Sequence, residues 1–176
     1  VYVDDTELEI CISDNIVSFL NECERLNDME MEITGFHPVL KETYAVRNDY
    51  MKVILLFLHL SGGMTSEQIC FVSWAAETIG VDAVRFKEFI ELENEISRIK
   101  TYKLIDETVK SNLQNAEVQE TMLTDFCYLI SAGNYYTLER ERMINLVKSV
   151  LRVKKNDIYR KINFFEKEFE LCQNVK

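Results

Sequence analysis

The sequence predicts an all-α fold, a single-domain helical bundle of about seven or eight helices built from two tandem helical repeats. Three observations carry this. Apolar residues recur at helical spacing along nearly the whole chain, as in Leu8, Ile12, Ile16, Phe19, Cys23 and Leu26. Helix breakers are scarce, with one Pro and five Gly in 176 residues. One pattern is also written twice, 72 residues apart, in Leu55 to Ile90 and again in Cys127 to Ile162. In that register Thr65 meets Thr137, Glu67 meets Glu139, Val81 meets Val153 and Ile90 meets Ile162. Apolar pairs such as Phe57/Leu129, Leu58/Ile130, Met64/Tyr136, Val72/Ile144 and Ile79/Leu151 agree as well. Any two amphipathic helices can be slid until their stripes coincide, because both have a 3.6-residue period. Agreement in the turns too is what marks a duplicated unit.

Residues 1–38 form an acidic N-terminal segment. Its apolar stripe predicts a helix, with Ser13-Asp14 as an N-cap of the helix proper. Met29, Met31 and Ile33 alternate, so residues 28–36 read as a short extended segment. Repeat one spans residues 39–99. It opens with a long helix over 39–60, placing Leu40, Tyr44, Met51, Ile54, Leu55 and Leu58 inward. The second half of that helix is apolar nearly all round and so should be central. Ser61-Gly62-Gly63 ends it. Thr65 and Gln68 then form a capping box for a helix with Ile69, Val72, Ala76 and Ile79 on one face and Phe71, Trp74 and Ala75 beside them. Gly80 is the expected stop, and Asp82 caps a helix over 83–99.

Residues 100–116 are a polar connector, read as a helix with Tyr102, Leu104, Ile105 and Val109 inward. Repeat two spans 117–176. Met122, Phe126, Leu129 and Ile130 give its first helix. Ser131-Ala132-Gly133-Asn134 is the turn, Asn being the next best residue after Gly for a left-handed position. Thr137 caps a helix over 138–152, and Asn156 or Asp157 caps a last helix to about Leu171, with Ile158, Ile162, Phe165 and Phe169 inward. No low-complexity linker separates the repeats, so a shared core is expected.

Composition narrows the class. Apolar content of 47% and charged content of 28% are those of a soluble globular protein. Five widely spaced Cys with no CxxC or Cys/His cluster make a disulfide framework and a zinc site poor readings, and suit reduced thiols in a cytoplasmic protein. The most apolar run, Val53 to Leu60, is far shorter than the roughly 20 residues needed to span a bilayer, so no membrane partner is expected. No signal peptide is visible, although the chain starts at Val and reads as a piece that a longer protein would accommodate. The formal charge of −10 is a dipole: residues 1–34 hold ten carboxylates against Arg25, a net of −9, while residues 140–161 hold eight bases against Glu141 and Asp157, a net of +6.

The two small-residue turns carry a resemblance. Leu60 to Glu67, LSGGMTSE, and Ala132 to Glu139, AGNYYTLE, resemble the turn that leads into a helix in the TerB-like family, small helical proteins associated with tellurite resistance. Ile79-Gly80-Val81 and Leu151-Arg152-Val153 sit at the following helix end. The resemblance covers about 100 residues, in 51–97 and 123–169. It implies a helical fold and a role in a bacterial stress-response, tellurite-resistance or phage-defence system. Family members often carry at the turn an acidic residue associated with metal binding. Here those positions are Ser61 and Gly133, so no metal is expected. Glu67 and Glu139 remain, but a glutamate in a first helical turn is favoured by the helix dipole alone.

No GxGxxG, P-loop, HExxH, GxSxG or EF-hand pattern is present. His59 reads as a core or boundary histidine, His37 as a loop residue, and the Glu88, Glu91, Glu93, Glu95 cluster as a solvated helix face. The expected function is therefore a non-enzymatic, cofactor-free helical module that binds a protein partner. Its motif turns are Ser61, Gly62 and Glu67, and Gly133 and Asn134. Its contact residues are Tyr135, Tyr136, Glu139 and Arg140. Tyr136 is expected to plug the core as Met64 does, leaving Tyr135 as the exposed anchor. The alternatives are a nucleic-acid-binding module using the basic 140–161 stretch and a small acidic immunity or inhibitor protein.

Overall fold

The computed structural model describes residues 37–60, 64–81 and 97–174, with side chains to Glu170. Among these residues the protein is all-helical and holds six α-helices, a 3-10 turn and no strand. The helices are α1 (Tyr44–His59), α2 (Ser66–Ile79), α3 (Arg98–Asn112), α4 (Ala116–Ala132), α5 (Thr137–Leu151) and α6 (Lys155–Asn174). The expected N-terminal helix, the extended segment near 28–36, the Ser61-Gly62-Gly63 turn and most of the helix expected over 83–99 lie outside the described residues.

The chain divides into two compact units, Val1–Gln114 and Asn115–Lys176. The division falls between two side-chain caps. The Gln114 side-chain amide donates to the Val109 carbonyl at 2.8 Å, closing the end of α3. Asn115 Oδ1 accepts from the backbone N–H groups of Glu117 and Val118 and so opens α4.

In the first unit α1 packs against α2, α3 and the 3-10 turn Pro38–Lys41. Every residue from Val53 to Leu58 is buried, so the second half of α1 is the centre its composition predicts. The helix itself starts later than expected. Thr43, extended at φ −63° and ψ 158°, accepts from the Val46 N–H and begins α1 at Tyr44, while residues 38–41 form the separate 3-10 turn. Tyr44, read as inward, is exposed because it occupies the first turn of a shorter helix. The capping box of α2 is present in full: the Gln68 N–H donates to Thr65 Oγ1 at 3.2 Å, and Gln68 Oε1 accepts from the Thr65 N–H at 3.0 Å. Buried hydroxyls on these helices donate to the carbonyl one turn back, Ser73 to Ile69 and Thr78 to Trp74. Ser97 is the N-cap of α3, so residues 97–99 do not belong to the preceding helix as expected. Thr101, Ile105, Thr108 and Val109 line the inner face of α3, which turns Tyr102 outward.

Gly80 ends α2 at φ +81°, with the Gly80 N–H bonded to the Glu77 carbonyl and the Val81 N–H to the Ala76 carbonyl. This is the left-handed cap that satisfies the last carbonyls of a helix. Arg47 of α1 adds to it, donating from Nη1 to the Ile79 carbonyl at 2.8 Å.

In the second unit α4, α5 and α6 all pack against one another. Met122, Leu123, Phe126, Cys127, Leu129 and Ile130 of α4 are buried with Ile144, Val147 and Leu151 of α5 and Ile158 and Ile162 of α6. Phe165 and Phe169 are half-buried and meet Tyr128, Phe165 edge-on at a ring-centre distance of 5.5 Å and Phe169 tilted at 5.6 Å. The last helix begins at Lys155, ahead of the expected Asn156 or Asp157 cap, with the Lys154 carbonyl accepting from both Asp157 and Ile158.

Arg152 ends α5 at φ +54°, 72 residues after Gly80, so the left-handed stop recurs in the register of the repeat. A non-glycine residue there carries steric strain of about 1–2 kcal/mol. Arg152→Gly should therefore raise the unfolding free energy by about 0.5–1 kcal/mol, once the greater freedom of glycine in the unfolded chain is subtracted. A urea midpoint at or below that of the parent protein would contradict this.

Candidate partner-binding surface

The turn between α4 and α5 is built from one run of residues. Gly133, buried at φ −90° and ψ −8°, is the C-cap of α4 and donates its N–H to the Ile130 carbonyl. The left-handed residue is Asn134, at φ +50°, as the preference of asparagine for that region predicts. Tyr135 follows half-buried, and Tyr136 follows exposed. The expectation for these tyrosines is thus reversed: Tyr136 is 74% exposed, whereas Met64, its counterpart in the first repeat, is buried.

The reversal has a local cause. Thr137 does not cap α5 but is its first residue, and Tyr136 takes the extended N-cap conformation at φ −63° and ψ 155°. The caps of α2 and α5 are Thr65 and Tyr136, 71 residues apart, while the left-handed ends of these helices are 72 apart. α5 therefore begins one residue earlier than the repeat predicts. Its N-cap side chain makes no hydrogen bond to the helix end. The Tyr136 carbonyl still accepts from the Arg140 N–H at 2.9 Å, as the first helical bond.

Glu139 lies half-buried in the first turn of α5 and Glu67 exposed in the first turn of α2, both where the helix dipole favours a carboxylate. Arg140 is ion-paired with Glu166 of α6 and so holds two helices together. Gly133, Asn134, Tyr135, Tyr136, Glu139 and Arg140 are brought together in this turn. Ser61, Gly62 and the acidic N-terminal segment lie outside the described residues.

Of the eight bases in residues 140–161, three are engaged within the unit. Besides Arg140, Lys155 pairs with Glu141 at 3.1 Å and Lys161 with Glu120 at 3.0 Å. Glu141 also accepts from the Tyr159 hydroxyl. The Tyr159 hydrogen bond, then Lys155, holds the Glu141 carboxyl below its usual range. The same carboxylate raises both Tyr159 and Lys155.

Two residues escaped sequence reasoning. His37, which the sequence reads as a loop residue, is 3% exposed. Its Nδ1 accepts from the Val39 N–H at 3.2 Å, and its ring meets Tyr50 and Trp74 edge-on at 5.4 and 5.7 Å. The position before Pro38, at the head of a turn, is the signal that would have suggested a cap. Leu138 is 66% exposed on α5, as its counterpart Ser66 is exposed on α2. His59 is half-buried and engaged with neighbouring groups.

The described residues contain no group of three or more His, Cys, Asp or Glu able to hold a metal ion. None of their helices is long and apolar enough to cross a membrane. Burial pushes the Cys127 thiol up to about 12, with Lys161 opposing and Glu120 adding to the shift. Its thiolate fraction near neutral pH is then on the order of 10⁻⁵. Cys70 is exposed. Alkylation of the native protein followed by peptide mass mapping should label Cys70 at least about a hundredfold faster than Cys127. Comparable rates would show that the α4–α6 interface is open to solvent.

No family model matches the chain, and no curated protein or solved structure matches it.

Proposed function

We propose that this chain is a non-enzymatic, TerB-like helical module that binds a protein partner, within a bacterial stress-response, tellurite-resistance or phage-defence system. The family term rests on the two small-residue turns and the helices that follow them. The interaction rests on one observation. Tyr136 stands 74% exposed at a helix N-cap where its side chain makes no capping bond. Ser, Thr, Asn or Asp at that position would stabilise the helix by about 1 kcal/mol. A tyrosine there forgoes that bond and presents an aromatic surface two residues before the exposed Leu138, and tyrosines are favoured at the centres of protein interfaces.

Tyr136→Ser separates the two roles. The variant should unfold at a urea concentration equal to or above that of the parent, because it gains a cap. It should also lose a partner that co-purifies with the tagged parent chain when the neighbouring genes are expressed beside it. Recovery of only the free chain from the parent preparation overturns the reading. So does full retention of the partner by both Tyr136→Ser and Leu138→Ser.

A further inference from the structure

The outward face of α5 is a single stripe. Leu138, Arg142, Asn145, Ser149 and Arg152 recur at steps of four, three, four and three residues, all are exposed, and Lys148 lies exposed beside them. Met143, Ile144, Leu146, Val147, Val150 and Leu151 occupy the buried side of the helix. At 1.5 Å per residue the stripe is about 21 Å long.

Its charge is uncompensated. Among the described residues, Arg142, Lys148 and Arg152 have no carboxylate within ion-pair distance. Arg140, Lys155 and Lys161, which face α4 and α6, are all paired. Of the two carboxylates on α5, Glu141 is held by Tyr159 and Lys155, and Glu139 is half-buried and makes no ion pair with this face. Lys148 and Arg152 sit at the C-terminal end of α5, where the helix dipole favours cations. That argument does not reach Arg142 in the middle of the helix, nor the exposed Leu138. Two unpaired arginines on the stripe and an unpaired lysine beside it stand out among the described residues of a chain of net charge −10.

Resting on the reading of the chain as an interaction module, we infer that this face of α5 docks an acidic protein segment. The segment sets an apolar side chain against Leu138 and its carboxylates over Arg142, Lys148 and Arg152. Arginine suits the role because its planar fork meets a carboxylate through two parallel hydrogen bonds. A protein segment fits better than nucleic acid: the stripe carries an aliphatic anchor, and the exposed Tyr136 at the N-cap is a single ring rather than the succession of aromatics on which bases stack.

The probes are a fluorescein-labelled peptide of about 14 residues, long enough to span the stripe as a helix, rich in Glu with Leu at helical spacing; the same peptide with Leu changed to Ser; and a single-stranded DNA of equal length. Anisotropy is read with the whole chain at about 50 mM salt, where exposed charges are weakly screened. The Leu-bearing peptide should bind. The combined variant Arg142→Glu, Lys148→Glu, Arg152→Glu should weaken it at least about tenfold with unchanged far-UV circular dichroism, and Leu138→Ser should weaken it about threefold. No binding of the Leu-bearing peptide, equal binding of the Ser-bearing peptide, or tighter binding of the DNA each overturns the inference. The combined variant is also put through the co-purification experiment. If it keeps the partner that Tyr136→Ser loses, this face is wrong while the interaction reading stands; if the parent chain captures nothing, the interaction reading itself has failed.

Discussion

Phe126→Ala should lower the unfolding free energy by about 3–5 kcal/mol, the largest loss expected of any single truncation in the second unit. Phe126 is fully buried on α4, whose two packing partners, α5 and α6, leave it no solvent face into which the structure could relax. Met122, Leu123, Cys127, Leu129 and Ile130 on the same helix are buried as well, so the cavity would be walled by side chains already held on several sides. Removing the ring forfeits its transfer free energy and leaves a void that the surrounding helices fill only partly. Phe126→Leu keeps most of the volume and should cost less than about 1.5 kcal/mol. Urea denaturation followed by far-UV circular dichroism gives both values. A loss under about 1 kcal/mol for the alanine variant would mean that α4 is not packed between two helices.

Gly80→Ala should cost about 2–4 kcal/mol, from two separable sources. The first is the backbone: φ is +81°, and an L side chain in the left-handed region costs about 1–2 kcal/mol. The second is a collision. A Cβ at Gly80 would stand 2.8 Å from Nη1 of Arg47, the atom that donates to the Ile79 carbonyl. Moving the guanidinium away breaks a charge-assisted hydrogen bond, a loss of about 1–2 kcal/mol at this exposed helix end, where water replaces part of it. A double-mutant cycle separates the two. In an Arg47→Ala background, Gly80→Ala should cost only the backbone term, so the cycle should return a coupling of about 1–2 kcal/mol. Additive losses would show that Arg47 does not cap α2. Arg152→Gly is the converse case, because the same left-handed stop in the second unit is made by a residue that pays the strain.

The elements read correctly from the sequence are those decided by neighbours within one turn. The Thr65–Gln68 capping box needs only residues three apart. The stop at Gly80 and the left-handed Asn134 follow from single-residue conformational preference. The burial of Val53 to Leu58 follows from a helix segment with no polar side. The misread elements are those where a local preference loses to the geometry of a turn. Thr is the better N-cap by propensity, and Thr137 was the natural choice, yet the Gly133–Asn134 turn delivers the chain so that Tyr136 stands at the cap. At the cap Tyr136 is exposed, where its counterpart Met64 is buried, and it becomes part of the candidate contact surface.

Taken alone, the sequence determined the all-α class, the positions of most helices and the lack of any recognisable catalytic pattern, because periodicity, capping residues and helix breakers act over one or two turns. The tertiary structure alone decided that Arg47 caps a helix whose last carbonyl lies 32 residues away, that His37 packs edge-on against Tyr50 and Trp74, and that, among the described residues, Arg140, Lys155 and Lys161 are paired while Arg142, Lys148 and Arg152 are not. A charge or a ring has no fixed role until packing brings partners to it from distant parts of the chain, and helical periodicity carries no record of which partners those are.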